Sequence, residues 1–255
     1  FHELSPGAAK TETALRLQEL KTLLQKRAHA IAGLIMEPII SVGGMNFLST
    51  EYCQGIAKLC AEYDVLLLYD ECQTGVGRTG KWFAYQQHGV APDMLITAKA
   101  LGAGFPVSLV AFKKTLLARS KISISHFSSH QNDPLAGAIV VGVIAEIQEK
   151  KLLHRVERIG DFFLQQLRSL STRTTLLSAP RGMGLMIGFD LSVVGLESYL
   201  ELGNEFTSRL REEGVLIQST SHGKTYRILP SYYLTKREVL FCIASIEKVL
   251  HQLLK

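Results

Sequence analysis

Residues 69–80 read YDECQTGVGRTG. Gly75, Gly77 and Gly80 fit G-x-G-x-x-G, the spacing of a dinucleotide-binding turn, and the apolar run VLLLY at 65–69 ahead of them reads as a strand. In a dinucleotide fold the glycines follow the strand almost at once and a helix opens on the phosphate. Here Asp70 and Glu71 come first, where two carboxylates would repel a pyrophosphate, and KWFAYQQHGV after Gly80 continues poorly as a long helix. Two readings remain. One is a glycine-rich connection without a site. The other is a carboxylate, Asp70, held at the end of a buried strand, where α/β proteins place their ligands.

Working outward, TETALRLQELKTLLQKRA (11–28) repeats its apolar residues at three and four and predicts an amphipathic helix. AGLIMEPI predicts a short strand stopped by Pro38, and SVGGMNFLS a loop. Ser49 or Thr50 is placed to cap the helix EYCQGIAKLCAEY. VLLLYD predicts a strand apolar on both sides, as in a buried parallel sheet. DMLITAKALGAG predicts a third strand and PVSLVAF a fourth, giving an α/β layout. After Pro134 the pattern changes. PLAGAIVVGVIAEIQEKKLL predicts one long helix, and a second follows around ERIGDFFLQQLRSL. Strand GLMIGFDLS, helix SYLELGNEFTSRLREEG, strands VLIQST and TYRILP and the helix KREVLFCIASIEKVLHQLLK complete an α+β unit. The expected division is 1–145 and 146–255.

The bulk numbers narrow the function classes. The chain has 255 residues, 47% hydrophobic, and a formal charge of +5 spread along its length without a basic block, which argues against nucleic acid. Cys53, Cys60, Cys72 and Cys242 form no C-x-x-C pair and read as free thiols of a reducing compartment. LAGAIVVGVIA is too short to cross a bilayer and no signal peptide opens the chain, so a cytoplasmic protein is expected.

Lys99 carries the next step. It ends an apolar run, flanked by Ala98 and Ala100 and then Gly102 and Gly104. Small neighbours leave space for a flat ligand, and partial desolvation would lower the amine's pKa. An imine-forming lysine together with an acid for a pyridinium nitrogen is the pair that pyridoxal phosphate needs. An ordinary lysine at a strand end has the same spacing. His126 and His130, four apart, could suggest zinc, and Ser128 or Ser129 with His130 and Asp133 a hydrolase, but the segment reads as a loop and lacks G-x-S-x-G.

Three motifs then converge. DECQTGVGRTG, APDMLITAKALGAGFP and a loop ending NDPLAGA keep the order and spacing of the class III pyridoxal-phosphate aminotransferases, and RGMGLMIGFDL and YRILPSYYLT extend the likeness to the C-terminus. The chain resembles the C-terminal portion of that family. The resemblance implies fold type I: part of the large cofactor-binding domain with a parallel-rich sheet, plus a C-terminal α+β small domain. It implies that Lys99 forms the imine with the cofactor's aldehyde and later moves a proton, and that Asp70 pairs with the pyridine nitrogen. Gln73 would lie near the phenolic oxygen, and Ser129, where the family has Thr, would reach the phosphate of the neighbouring subunit. Arg227 would grip the substrate carboxylate with its planar fork.

Within the family, Ser41-Val42-Gly43-Gly44 and Ser129-His130-Gln131-Asn132-Asp133-Pro134 are similar to the 2,2-dialkylglycine decarboxylases. That likeness implies decarboxylation of a 2-aminoisobutyrate-type donor with pyruvate as acceptor, and an alkali cation, K+ or Na+, on Ser129, Gln131 and Asp133. Asp133 is equally placed to cap the helix that Pro134 begins. Plain transamination of another amino acid or ω-amine competes with this reading. A homodimer or dimer of dimers is expected, since the Ser129 loop would serve a neighbour. The family's N-terminal part is not seen before Phe1. The chain is therefore read as a fragment of a working enzyme, as half of a two-chain enzyme, or as a non-catalytic interaction protein.

Overall fold

The computed structural model describes residues 6–119, 129–192, 196–220 and 223–254. In chain order, α1 (Pro6–Arg27) leads to β1 (Gly33–Met36), a two-residue ribbon of β2 (Ile39–Ile40) and β3 (Asn46–Phe47), and α2 (Thr50–Glu62). β4 (Leu66–Asp70), α3 (Tyr85–His88), β5 (Met94–Thr97), β6 (Leu109–Phe112) and α4 (Lys114–Arg119) follow. The second half is α5 (Pro134–Glu149), α6 (Leu152–Ser171), β7 (Leu177–Met183), β8 (Met186–Leu191), α7 (Leu196–Glu212), β9 (Gln218–Thr220), β10 (Thr225–Ile228) and α8 (Lys236–Leu253).

The first sheet has the order β1-β4-β5-β6. β1, β4 and β5 run parallel and β6 returns antiparallel. Ser49 starts α2 by accepting the Tyr52 amide at 3.1 Å, one of the donors that the first helical turn would otherwise leave unsatisfied. The helix buries Cys53, Ile56, Leu59 and Cys60, spaced at three and four, and the last three share a core with Leu67 and Tyr69 of β4 and Leu24 of α1. β4 was expected to be apolar on both sides. Instead Leu67 and Tyr69 are buried while Leu66 and Leu68 are half-buried, because among the described residues α1 and α2 cover one face. All four cysteines are free thiols.

The second sheet is antiparallel, in the order β7-β8-β10-β9. Strand residues alternate between its faces. Ile187, Phe189, Leu191, Tyr226 and Ile228 join α6, α7 and α8 in the larger core, with Phe189, Phe206 and Tyr226 forming an aromatic cluster at centroid distances of 5.0–6.2 Å. α8 opens with a capping box. Thr235 Oγ1 accepts from the Glu238 amide and Glu238 Oε2 from the Thr235 amide.

Four expectations are corrected. The long helix from Pro134 breaks at Lys151, whose φ of +51° ends α5 and lets α6 turn its apolar stripe, Val156 to Leu170, onto the second sheet. β7 was missed because Pro180 and Gly182 argue against a strand. It forms at a sheet edge, and Pro180 falls in a bulge where Ser178–Arg181 faces only Asp190–Gly188. The loop SVGGMNFLS contributes to the β2–β3 ribbon. The third strand stops at Thr97, and Lys99 opens a 3-10 turn.

The back half of YDECQTGVGRTG joins the two sheets. The Leu185 amide donates to Arg78 O at 3.0 Å, and Arg78 Nη1 donates to Leu185 O at 3.3 Å and Pro230 O at 2.6 Å. The guanidinium lies 4.6 Å over the Tyr232 ring, and Tyr232 in turn donates to Val76 O. The approach is so close that a Cβ on Gly160 of α6 would stand 2.0 Å from Gly184 O, and one on Gly184 would stand 2.6 Å from Thr79 C. α5 is apolar over most of its length, yet Ile147 is its one buried residue. Among the described residues no helix is long and apolar enough to cross a membrane.

Candidate active site

Three parallel strands end at one rim. The register sets Met36 beside Tyr69 and Asp70 beside Ile96, so Glu37 follows β1, Asp70 closes β4 and Lys99 follows β5 at neighbouring strand ends. This is the edge where open α/β sheets bind ligands.

The two acids of the opening stretch separate in role. Asp70 is half-buried and its Oδ1 accepts the Cys72 amide at 3.0 Å, an Asx-type turn that fixes the carboxylate at the strand end. Glu71 is fully buried and organises the loop. It accepts from Thr74 Oγ1 at 3.0 Å, the Ala84 amide at 2.6 Å and the Tyr85 amide at 2.8 Å. Burial raises its pKa above the usual carboxylate range, and those three hydrogen bonds oppose the rise. Gln73 is half-buried on the turn after Asp70.

Cys72 reports what surrounds this rim. Its thiol is pushed up to about 11, first by burial and then by Asp70, with Lys99 pulling the other way and Glu37 adding to the rise. Asp70, Lys99 and Glu37 therefore act on one point. Lys99 itself has a backbone φ of +50°, which side chains other than glycine's rarely adopt. Lys99 is exposed in the single chain.

Arg227 comes from the second sheet and is 9% exposed, so it is not a surface charge. Nη1 donates to Ser41 Oγ at 3.0 Å and Nη2 to Gln218 Oε1, while Nε is buried without a partner. Burial lowers its pKa and nearby Glu37 opposes that. Among the described residues no carboxylate lies within ion-pairing distance of it.

Ser129 and Gln131 lie exposed on the turn before α5. Asp133 caps that helix: Oδ1 accepts the Leu135 amide at 2.8 Å, and Oδ2 stands 3.9 Å from His130 Nδ1. No hydrogen bond among the described residues joins this turn to Asp70, Lys99 or Arg227. His126 and Ser128 lie outside the described residues. Glu37, Ser41, Glu71 and Gln218 were not singled out from sequence as parts of the site. Glu37 was legible by the rule that found Asp70, a carboxylate at a strand end. Gln218 and Glu71 carry no local signal, because their partners are distant in sequence or are backbone amides.

The donor set fits pyridoxal phosphate. It has a fixed carboxylate for a ring nitrogen, a primary amine at the adjacent strand end for an aldehyde, and a buried guanidinium with an open Nε for a carboxylate.

Comparison with known proteins agrees. The profile of the family "Aminotransferase class-III", whose members use pyridoxal phosphate, matches residues 3–250. The acetylornithine aminotransferase of Caldanaerobacter subterraneus subsp. tengcongensis is 31% identical over 237 residues, 93% of this chain and 58% of the relative. Among solved structures, the acetylornithine aminotransferase of Elizabethkingia anophelis superposes with a TM-score of 0.84 at 32% identity, covering 91% of this chain and 60% of that one. An (S)-enantioselective omega-transaminase of Thermomicrobium roseum superposes with 0.89 at 26% identity, covering 100% and 58%. The chain thus spans somewhat more than half the length of these relatives. The fold is the fold-type I α/β architecture. Two expectations are revised. These relatives are aminotransferases rather than dialkylglycine decarboxylases, and the family match begins at residue 3, so a match to the family's C-terminal portion alone is not borne out. On its match across nearly the whole sequence, the chain belongs to the class III aminotransferase family.

Proposed function

We propose that this chain carries the lysine, the ring-nitrogen acid and the carboxylate-binding arginine of a pyridoxal-phosphate-dependent aminotransferase, which moves an amino group between an amine donor and a keto acid. The observation that carries this is the placement of Asp70 and Lys99 at the ends of adjacent parallel strands, both acting on Cys72. When bound, the cofactor supplies an electron sink for the bond broken at the substrate's α-carbon. The chain's own residues do the rest. Asp70 would hold the ring nitrogen and, by its negative charge, favour the protonated form. Lys99 would hold the cofactor and, in each half-reaction, its amine would take or return the proton at the substrate's α-carbon. Arg227 takes the substrate carboxylate on its fork, and Gln73 lies beside the acid on the same turn.

The names of the relatives favour an acetylornithine-type amino acid or an ω-amine as donor. Dialkylglycine decarboxylation has no support among them, and the alkali-ion reading of Ser129, Gln131 and Asp133 rested on that likeness. The exposed Ser129 turn and uncovered Lys99 support a site completed by a second subunit. The two largest cores, each drawn wholly from one side of residue 145, support a division into units 1–145 and 146–255, with two smaller clusters bridging them. The test is a visible absorbance band on adding pyridoxal phosphate, lost in Lys99→Ala, and pyruvate-dependent amino transfer from N-acetylornithine. Absence of the band in wild type refutes the reading.

A further inference from the structure

Arg181, Gly188, Arg227 and Gln218 stand in one row across β7, β8, β10 and β9. Both arginines reach from this row to one short turn of the first unit, Ser41–Met45, which is closed by the Gly44 and Met45 amides donating to Ser41 O. Arg181 holds the far end of the turn: Nε donates to Met45 O at 3.1 Å and Nη2 to Gly44 O at 2.7 Å. Arg227 meets the near end, at Ser41 Oγ. Gly188 separates them and makes the room, since a Cβ there would stand 2.9 Å from Met45 Cβ and Cγ. The bulge in β7, with Ala179 at a φ of +46°, aims Arg181 at the turn.

The charges differ as the roles require. Arg181 is buried and paired with Asp190 at 2.7 Å, and Asp190 Oδ1 also accepts from Thr225 Oγ1 at 2.8 Å. That carboxylate removes Arg181 as a competitor for an anion. Arg227, two strands away, donates among the described residues to the neutral oxygens of Ser41 and Gln218, with the Glu37 carboxylate near but not within ion-pairing distance, and keeps its charge for a ligand.

We propose that Arg181 is a positioning residue for Arg227: by fixing the Ser41–Met45 turn it places the Ser41 hydroxyl that orients the carboxylate-binding fork. This rests on the reading of Arg227 as the carboxylate grip. Arg181→Ala would take from the buried Asp190 the guanidinium that it pairs with, so two milder variants are informative. Arg181→Lys keeps the charge but lacks the planar fork that reaches both carbonyls and Asp190. Gly188→Ala pushes Met45 without altering any charge.

The experiment uses the full chain and the arginine Nε–H resonances, with Arg227 assigned by its loss in Arg227→Lys, and propionate as the probe for a carboxylate. Expected are a displaced Arg227 resonance in both folded variants before any ligand is added, and propionate affinity weakened about 10-fold, the effect of about 1.4 kcal/mol. With turnover, KM for alanine rises while KM for isopropylamine, which lacks the carboxylate, stays. The surface variant Arg168→Lys leaves all of these unchanged. An Arg227 resonance and a propionate response equal to wild type in both variants overturn the positioning role alone. A wild-type Arg227 blind to propionate overturns the grip itself, and the positioning role with it.

Discussion

Gly160→Ala and Gly142→Ala make the same chemical change in two helices and should have opposite signs. In α6, the new methyl on residue 160 would lie 2.0 Å from Gly184 O. A carbon–oxygen contact settles near ~3.3 Å, so the turn must retreat by roughly 1.3 Å. Gly184 cannot retreat freely, for it already rests on Thr79, and the next amide, Leu185, donates to Arg78 O. Overpacking of this kind costs about 1–3 kcal/mol and loss of that hydrogen bond about 1. Alanine's better helix propensity returns about 1. The net loss is about 2 kcal/mol, or about 4–8 °C in Tm for a chain of this size. In α5, nothing lies within 4 Å of a Cβ at 142, so only the propensity acts and Tm should rise by about 2–4 °C. Thermal and urea unfolding of both variants beside wild type gives the answer. A Gly160→Ala protein as stable as wild type would refute the claim that close backbone contact at Gly184 seats α6 on the β7–β8 turn.

Glu71→Ala should destabilise the chain by about 3 kcal/mol in urea, because it leaves two backbone amides and the Thr74 hydroxyl without their acceptor in a buried place. Cys72, with its thiol at about 11, should be alkylated by iodoacetamide at pH 8 on the order of 200-fold more slowly than an ordinary thiol near 8.5, and Asp70→Asn should speed it, read by peptide mass spectrometry. His88 is buried against Thr50 Oγ1 at 3.2 Å, and burial lowers its pKa, so the folded state favours the neutral ring. Its contribution is present above the unfolded pKa of about 6.5 and is lost as pH falls through the lower folded value. The stability gap between wild type and His88→Gln should therefore narrow from pH 7.5 to 5. A gap that widens would contradict the sign.

Much of this was legible along the chain because the signals are local. The strand before Asp70, the Ser49 cap, the capped helix at Pro134 and the small residues around Lys99 can each be read within a few positions. What escaped depends on distant partners. Arg227 holds Ser41 across 186 positions, and Arg181 reaches Gly44 across 137. Pro180 argued against β7, and only the edge position and the bulge make it tolerable there. The glycines of the opening stretch pointed to a phosphate. Gly80 instead lies against Glu157 of α6, and Thr79 against Gly184, so this end of the stretch serves the packing of the loop on the second sheet's elements.

The left-handed backbone at Lys99 has a consequence for how such a protein can lose its function. A side chain held in that conformation costs about 1 kcal/mol that glycine would not incur. Lys99→Gly should thus yield a chain that folds more readily than the original and has no amine for the cofactor. At this position selection for stability and selection for chemistry pull in opposite directions, and in a descendant freed from catalysis a single residue replacement would give a sturdier, inert form.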